Sequence, residues 1–374
     1  MALSTLPYLP PELASTGRAV PVLVDADKTL RVKVIDSCGL ACTFCHNEGT
    51  PVTVDNKTRT PGSFTDAGRS GRVSIYLNTN GAGFVATAVP ADERFSVMLR
   101  TMKLALGIEE VHFTGGEPSL HPRLVDLVAL AVAEGLQVGI TSNGEHFAGQ
   151  AADCAKAGLD RVNFSVFGTT PEELASIQGG RYANPKLAER KISALHESIE
   201  ACMAHGVKAS ANIVVPGPAH VERVERLLER HSPNLTVRLL KSLADGPASI
   251  EAIMTVIERA GGEPICHRVT AASANWRTDY RLGDGRVMSF KQLRALRLPR
   301  TCAGCRFNNA TDCEEGYYGV RVYRDTDALW QGGVCLQRMD LCQSLNEFVG
   351  SAVRTEILAL RENEYRNLVA QYGS

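Results

Sequence analysis

Three cysteines, Cys38, Cys42 and Cys45, stand together in "CGLACTFCHNEG" (38–49), with three residues in the first gap and two in the second. Thiolates so spaced hold metal. With a fourth ligand they bind zinc. His46 is next to Cys45, although adjacent residues rarely direct both side chains at one ion. Alone they suit a 4Fe–4S cluster, which ordinarily takes four cysteines. Holding one back leaves an iron open to substrate or cofactor, as a catalytic zinc keeps an open position. The spacing favours the cluster over zinc.

A second group, Cys302, Cys305, Cys313, Cys335 and Cys342, holds five of the eleven cysteines. Clustering at close spacing favours ligation over a disulfide frame, and no secretory signal is evident in the N-terminal stretch that would call for disulfides. Read alone, this group fits zinc or a second cluster. Cys154, Cys202 and Cys266 are scattered and are expected to pack as small hydrophobes. His46, His112 and His121 flank the motifs; a lone histidine is usually structural, and His46 draws notice for its place beside the first cysteines.

These residues need elements to position them. Strand-like segments at 31–36, 109–116, 136–144, 161–168, 207–217 and 235–242 alternate with helical patterns at 94–106, 121–135, 147–158, 185–206, 220–231 and 250–262. Six successive βα units imply a parallel sheet with right-handed crossovers. Strands ending at Gly115, Asn143 and Gly168 put chemistry at the C-terminal ends, where doubly wound sheets and barrels both carry their sites. Residues 50–92, rich in Gly, Thr and Asn, read as an inserted loop over the first cluster. After about residue 262 the alternation stops, and the tail from 340 reads as helical. A net charge of −1 gives no basic footprint of a nucleic-acid binder. No apolar run reaches the roughly 18–20 residues of a spanning helix.

Cys-x3-Cys-x2-Cys with an aromatic residue, Phe44, before the last cysteine, directly after the first strand, resembles the radical S-adenosylmethionine (SAM) superfamily. "FTGGEPSLHP" (113–122) resembles its Gly-Gly-Glu-Pro motif. The resemblance covers roughly residues 28–262 and implies an α/β fold, a partial (β/α)6 TIM-like barrel, after an N-terminal extension (1–27). It implies that the open iron chelates the amino and carboxylate groups of SAM. One electron then cleaves the sulfonium bond, and the resulting 5′-deoxyadenosyl radical abstracts a hydrogen. It places Gly115, Gly116, Glu117 and Pro118 at the methionine moiety, with the glycines allowing close backbone approach. It also marks Asn143, Ser165 and Asn212 as polar contacts for ribose and carboxylate. Arg238 and Lys241 could meet an anionic substrate, but alternation directs only one of them inward.

Residues 263–374 resemble the C-terminal cysteine-rich α+β domain of the GTP 3′,8-cyclase family, ending in a terminal helix. A CxxC there precedes an arginine-bearing strand and a third cysteine. Arg321 in "VRV" matches the strand arginine that faces the nucleotide, and Cys335 matches the third cysteine. This implies an auxiliary 4Fe–4S cluster on Cys302, Cys305, Cys313 and Cys335, with Cys342 as spare. The sequence departs from the family at Cys313, an extra thiolate, and in lacking a C-terminal Gly-Gly. A fourth thiolate closes the iron that would touch substrate, so a relative with a different substrate is expected rather than the cyclase itself.

The leading expectation is a cytoplasmic enzyme acting on a small, nucleotide-like or natural-product substrate. Its cofactors are SAM and two clusters, and its electrons come from flavodoxin or ferredoxin. No nucleic acid or membrane partner is expected. The alternatives are a peptide-modifying maturase and a non-catalytic zinc or iron–sulfur protein. No acid or hydrogen donor can be picked from the sequence.

Overall fold

A computed structural model describes residues 20–40, 42, 88–178, 183–242, 245–309, 313, 316–325, 327–335 and 338–372. The first half runs β1 (Val22–Ala26), β2 (Thr29–Ile35), α1 (Glu93–Leu106), β3 (Glu110–Gly115), α2 (Leu124–Ala133), β4 (Gln137–Ser142), α3 (Ala151–Lys156), β5 (Arg161–Val166), α4 (Pro171–Ser176) and α5 (Pro185–Ala204). There follow β6 (Lys208–Val215), α6 (Val221–Arg230), β7 (Thr236–Lys241), α7 (Gly246–Arg259), β8 (Glu263–Ala271), β9 (Asn275–Arg281) and β10 (Val287–Leu293). The chain closes with β11 (Val320–Arg324), β12 (Trp330–Gly333), β13 (Gln343–Ser344), α8 (Leu345–Gly350) and α9 (Ala352–Tyr372).

Each strand of the βα repeat alternates apolar and polar residues, so its two faces differ. Leu30, Val32 and Val34 of β2, Val111 and Phe113 of β3, Val162 and Phe164 of β5 and Val237 and Leu239 of β7 are fully buried on the outer face. They join one core with Phe95, Met98 and Leu99 of α1, Leu127 of α2, Ile199 of α5 and Val224 of α6. Phe95 meets Phe113 edge-on at 6.0 Å. The helices are set by local signals. Asp92 accepts from the amides of Arg94 and Phe95 to cap α1, and Gly107 ends it at φ +61°. Asn184 caps α5, with Pro185 in its first turn.

Strands β2 to β7 lie side by side in chain order, all parallel, as the six units predict. The sheet runs on past residue 262. β10 pairs parallel with β7, β9 and β8 follow antiparallel, and β1 lies parallel to β8 at the end. At the other end β11 pairs parallel with β2, then β12 and β13 follow. β1 and β13 do not meet, so the barrel is partial and open.

Helix α9 straps this open sheet. Its Glu364 accepts from the amide of Ala272 at 2.6 Å and pairs with Arg294, near the β8 end. Its Arg354 and Arg361 donate to the carbonyls of Ala105 and Leu106, where α1 ends. The tail read as helical from 340 opens with the short strand β13 and continues as two helices, α8 and α9, broken at Ser351. Most of the loop expected at 50–92 lies outside the described residues.

Candidate SAM and cluster site

β2 ends at Ile35 and the chain turns at once into the loop carrying Cys38 and Cys42. The Gly-Gly-Glu-Pro turn after β3 packs directly on this loop. The amide of Gly116 donates to the Ile35 carbonyl at 2.7 Å and that of Glu117 to the Ser37 carbonyl at 2.8 Å. A Cβ on Gly115 would lie 2.2 Å from the Ile35 carbonyl oxygen. One on Gly116 would lie 2.2 Å from that of Ser37. These two glycines therefore let the turn pack directly on the backbone of the cysteine loop.

Glu117 is 1% exposed. Its carboxylate accepts from the Ser119 amide (2.9 Å), the Ser142 hydroxyl (2.6 Å) and the Asn143 amide (2.6 Å). Burial raises its pKa and these hydrogen bonds oppose the rise. Its contacts within the chain join the β3 turn to the end of β4. Pro118 is buried at the first position of a short 3-10 turn.

Asn143, just beyond β4, is thereby aimed at the loop. Its Nδ2 donates to Cys38 Sγ at 3.6 Å, while its Oδ1 accepts from the Glu145 amide at 2.8 Å. Gln178 Nε2 donates to Cys42 Sγ at 3.2 Å. Amide N–H groups directed at both sulfurs suit thiolate ligands, whose charge such donors stabilise. Cys45 and His46 lie outside the described residues, and among those described no three metal-binding side chains converge.

Beside this loop opens a small pocket, partly open to solvent, lined by Leu40, Asn143, Glu145, Ser165, Phe167 and Lys191 among others. It brings Asn143 and Ser165 together in one lining. Asn212 lies next along the same row. The register runs Ser165, Asn212, Arg238, Ser289, Asp279, Cys266 across β5, β6, β7, β10, β9 and β8. Among the described residues, the buried Oδ1 of Asn212 and Nε of Arg238 find no hydrogen-bond partner.

Arg238 Nη1 donates to Asn163 Oδ1 at 2.8 Å, which fixes it on the polar face as alternation requires. Burial, and then the charge of Arg277, lower its pKa to about 10. Arg321 on β11 is registered beside Arg31 on β2. With Lys291 they surround the Tyr318 ring, their charged ends 4.3 Å (Arg31), 4.8 Å (Lys291) and 5.9 Å (Arg321) from its centroid.

The second cysteine group folds as turns beyond β10. The carboxylate of Glu356, on α9, accepts from the amide (3.2 Å) and hydroxyl (2.6 Å) of Thr301 and from the Arg300 amide. This holds the start of the CxxC turn. Burial raises the Cys302 pKa, and the charges of Cys313 and Cys305 add to the rise. Arg338 donates to Cys305 Sγ at 3.7 Å. Cys342 is half-buried, and desolvation pushes its pKa up to about 12, with the charge of Cys335 adding to the rise.

Several residues were not singled out in the sequence. The Glu145 carboxylate packs on Gly39, where a Cβ would displace it, and pairs with Lys191 from α5. Burial lowers the Lys191 pKa, opposed by the charges of Cys38 and Glu117. Cys154 and Cys202 pack in the core, where burial takes each thiol to about 12. Cys266 departs from that expectation: its thiol meets Asp279 Oδ2 at 3.5 Å. His112 bonds Thr141 at 2.7 Å and His121 the Val89 carbonyl at 2.8 Å, both as structural ties. No described helix is long and apolar enough to cross a membrane.

The chain belongs to the radical SAM superfamily, whose profile matches residues 32–231. Membership makes it an enzyme of that superfamily. It is 29% identical over 256 residues to a GTP 3′,8-cyclase of Corynebacterium glutamicum, covering 64% of this chain and 55%, about half, of that protein's length. It is 25% identical over 309 residues to a "Probable GTP 3′,8-cyclase" of Pyrobaculum aerophilum, covering 79% of this chain and 84% of that one. Among solved structures, SuiB of Streptococcus suis superposes with a TM-score of 0.42 at 17% identity, over 67% of this chain and 50% of that chain.

Proposed function

We propose that the protein holds a 4Fe–4S cluster on Cys38, Cys42 and Cys45 and binds SAM in the adjoining pocket, to act on a small anionic molecule. When bound, cluster and SAM together supply a 5′-deoxyadenosyl radical by one-electron cleavage of the sulfonium bond, and that radical abstracts a substrate hydrogen. The observation that carries the reading is the pocket shared by the cysteine loop, Asn143, Ser165 and Lys191. Lys191, held by its ion pair with Glu145, lines that pocket, and Asn143 and Ser165 are placed to bond polar groups of SAM.

Deeper along the polar row, Arg238 and Arg277 offer the substrate an anion site. The Arg238 guanidinium, whose buried Nε finds no hydrogen-bond partner among the described residues, gains most from a phosphate or carboxylate, while Arg277 beside it is already paired with Asp279 at 3.3 Å. Arg321, with Arg31 and Lys291, supplies a second cationic edge. Cys302, Cys305, Cys313 and Cys335 are assigned an auxiliary 4Fe–4S cluster, and flavodoxin or ferredoxin the role of electron donor. The polar inner face keeps substrate oriented, and the covering helices keep water from the outer core.

Anaerobic reconstitution followed by iron and sulfide counting and a SAM-plus-dithionite assay tests this. About eight irons per chain, from two four-iron clusters, and release of 5′-deoxyadenosine are expected. Stoichiometric zinc without SAM cleavage would refute it.

A further inference from the structure

Gln178 follows α4, and its backbone forms an isolated bridge with that of Cys42. Its side chain is 6% exposed, and its Nε2 points at Cys42 Sγ at 3.2 Å. The placement is supported from several sides. Thr170 caps α4 by accepting from the Glu173 amide. Glu173 in turn is gripped by Arg223 and Arg226 of α6, and Leu174 and Ala175 pack on Ala188 and Ile192 of α5. The end of α4 therefore delivers the amide to the sulfur as part of a fixed layer.

A buried amide N–H needs an acceptor, and a neutral thiol is a weak one. A thiolate on iron is a strong one, and it strengthens as the cluster gains an electron, because part of the added charge resides on the sulfurs. A donor there stabilises the reduced state more than the oxidised one and raises the potential. Asn143 makes the matching contact to Cys38, but at 3.6 Å and with its Oδ1 held by the Glu145 amide. Gln178 is the closer donor.

We propose that Gln178 sets the reduction potential of the cluster on Cys38, Cys42 and Cys45 by donating its side-chain N–H to Cys42 Sγ, making the one-electron reduction easier. It is a positioning residue that acts through the cysteine and touches no reactant. The inference rests on the cluster reading above.

The test uses the full chain, reconstituted anaerobically, as wild type, Gln178→Met and Gln178→Leu. Methionine keeps the length without the N–H. Leucine also lacks a donor and adds no charge or acidic proton, and Gln178→Leu substitutes for the methionine variant if that one fails to load iron. The backbone bridge to Cys42 is retained in both. Iron is counted first. The midpoint is then followed by EPR on the signal that changes when SAM is added, and deuteron coupling is recorded after exchange into D2O. The variants should keep the wild-type iron count, lose one exchangeable deuteron coupling, and move to a more negative midpoint. The reduction equilibrium should shift three- to tenfold, tenfold being about 59 mV for one electron. An unmoved midpoint at equal iron content, with the coupling retained, overturns the inference alone. A wild-type protein that takes up no iron overturns the cluster reading and the inference with it.

Discussion

Cys38 and Cys42 leave the C-terminal end of a buried parallel strand and are met by side-chain amides from β4 and α4. Cys302 and Cys305 sit on a turn whose anchor, Glu356, comes from the last helix, with an arginine as their nearby donor. At the first group the backbone is packed so closely that glycine is obligatory at 115 and 116. At the second, Gly304 within the CxxC has open space around it. The first group is thus built into the rim of the parallel sheet, where loops at strand ends carry chemistry. The second is attached by side chains from distant segments. The difference teaches that loss of the second should leave the first working, and not the reverse.

The largest effect expected is at the thiolates. Cys42→Ala should lower 5′-deoxyadenosine formation by about a thousandfold or more, the scale of losing an essential group. Cys302→Ala should lower the iron content by about half while SAM cleavage persists. Paired iron counts and product assays check this, and equal loss of cleavage in both variants would erase the comparison.

Next come the glycines. Gly116→Ala drives a Cβ into the Ser37 and Asp36 carbonyls and should destabilise the protein by about 3 kcal/mol. Gly304→Ala should change stability by less than about 0.5 kcal/mol. Denaturant titration compares the two.

Glu356→Ala removes the acceptor of the Arg300 and Thr301 amides. It should cost about 1–3 kcal/mol and weaken iron retention at the second group, leaving the SAM-responsive EPR signal intact. Timed chelation separates the two pools.

The smallest effect concerns acid. His196 and His231 share a 2.7 Å contact between α5 and the end of α6, and burial lowers each pKa to about 4. A histidine buried neutral contributes stability above its unfolded pKa of about 6.5. That contribution is lost as pH falls through the folded value. The melting temperature should therefore drop between about pH 6.5 and 4, and His231→Asn should flatten the profile. If the drop stays unchanged in that variant, the acid sensitivity belongs elsewhere.

How much of this was legible follows from where each signal lives. The six parallel strands announce themselves because apolar residues such as Val32, Phe113 and Phe164 recur at every second position and glycine or asparagine ends the run. β9 and β10 hide for the same reason in reverse. Arg277, Asp279 and Ser289 dilute the apolar pattern, and only pairing with β7 reveals them as a continuation of the polar face. The tail misled because Ser344 and Ser351 break a pattern that reads as uniformly helical.

At the site, the cysteines and the Gly-Gly-Glu-Pro turn carry local motifs. Glu145, Gln178 and Lys191 do not. Lys191 sits in "ERKIS", which looks like any solvated helix face, and Gln178 gains its meaning from a cysteine 136 residues away. The glycines were legible as sites of close approach, but not what approaches them, since the Ser37 carbonyl enters the picture only once β2 and β3 are paired.

The central claim is that three thiolates leave one iron for SAM. It is tested most directly by EPR of the reduced Cys302→Ala/Cys305→Ala protein, which retains the first group alone, recorded with and without SAM. A single cluster signal that shifts on adding SAM is the predicted result. A cluster spectrum indifferent to SAM, or a protein carrying zinc in place of iron, would contradict it.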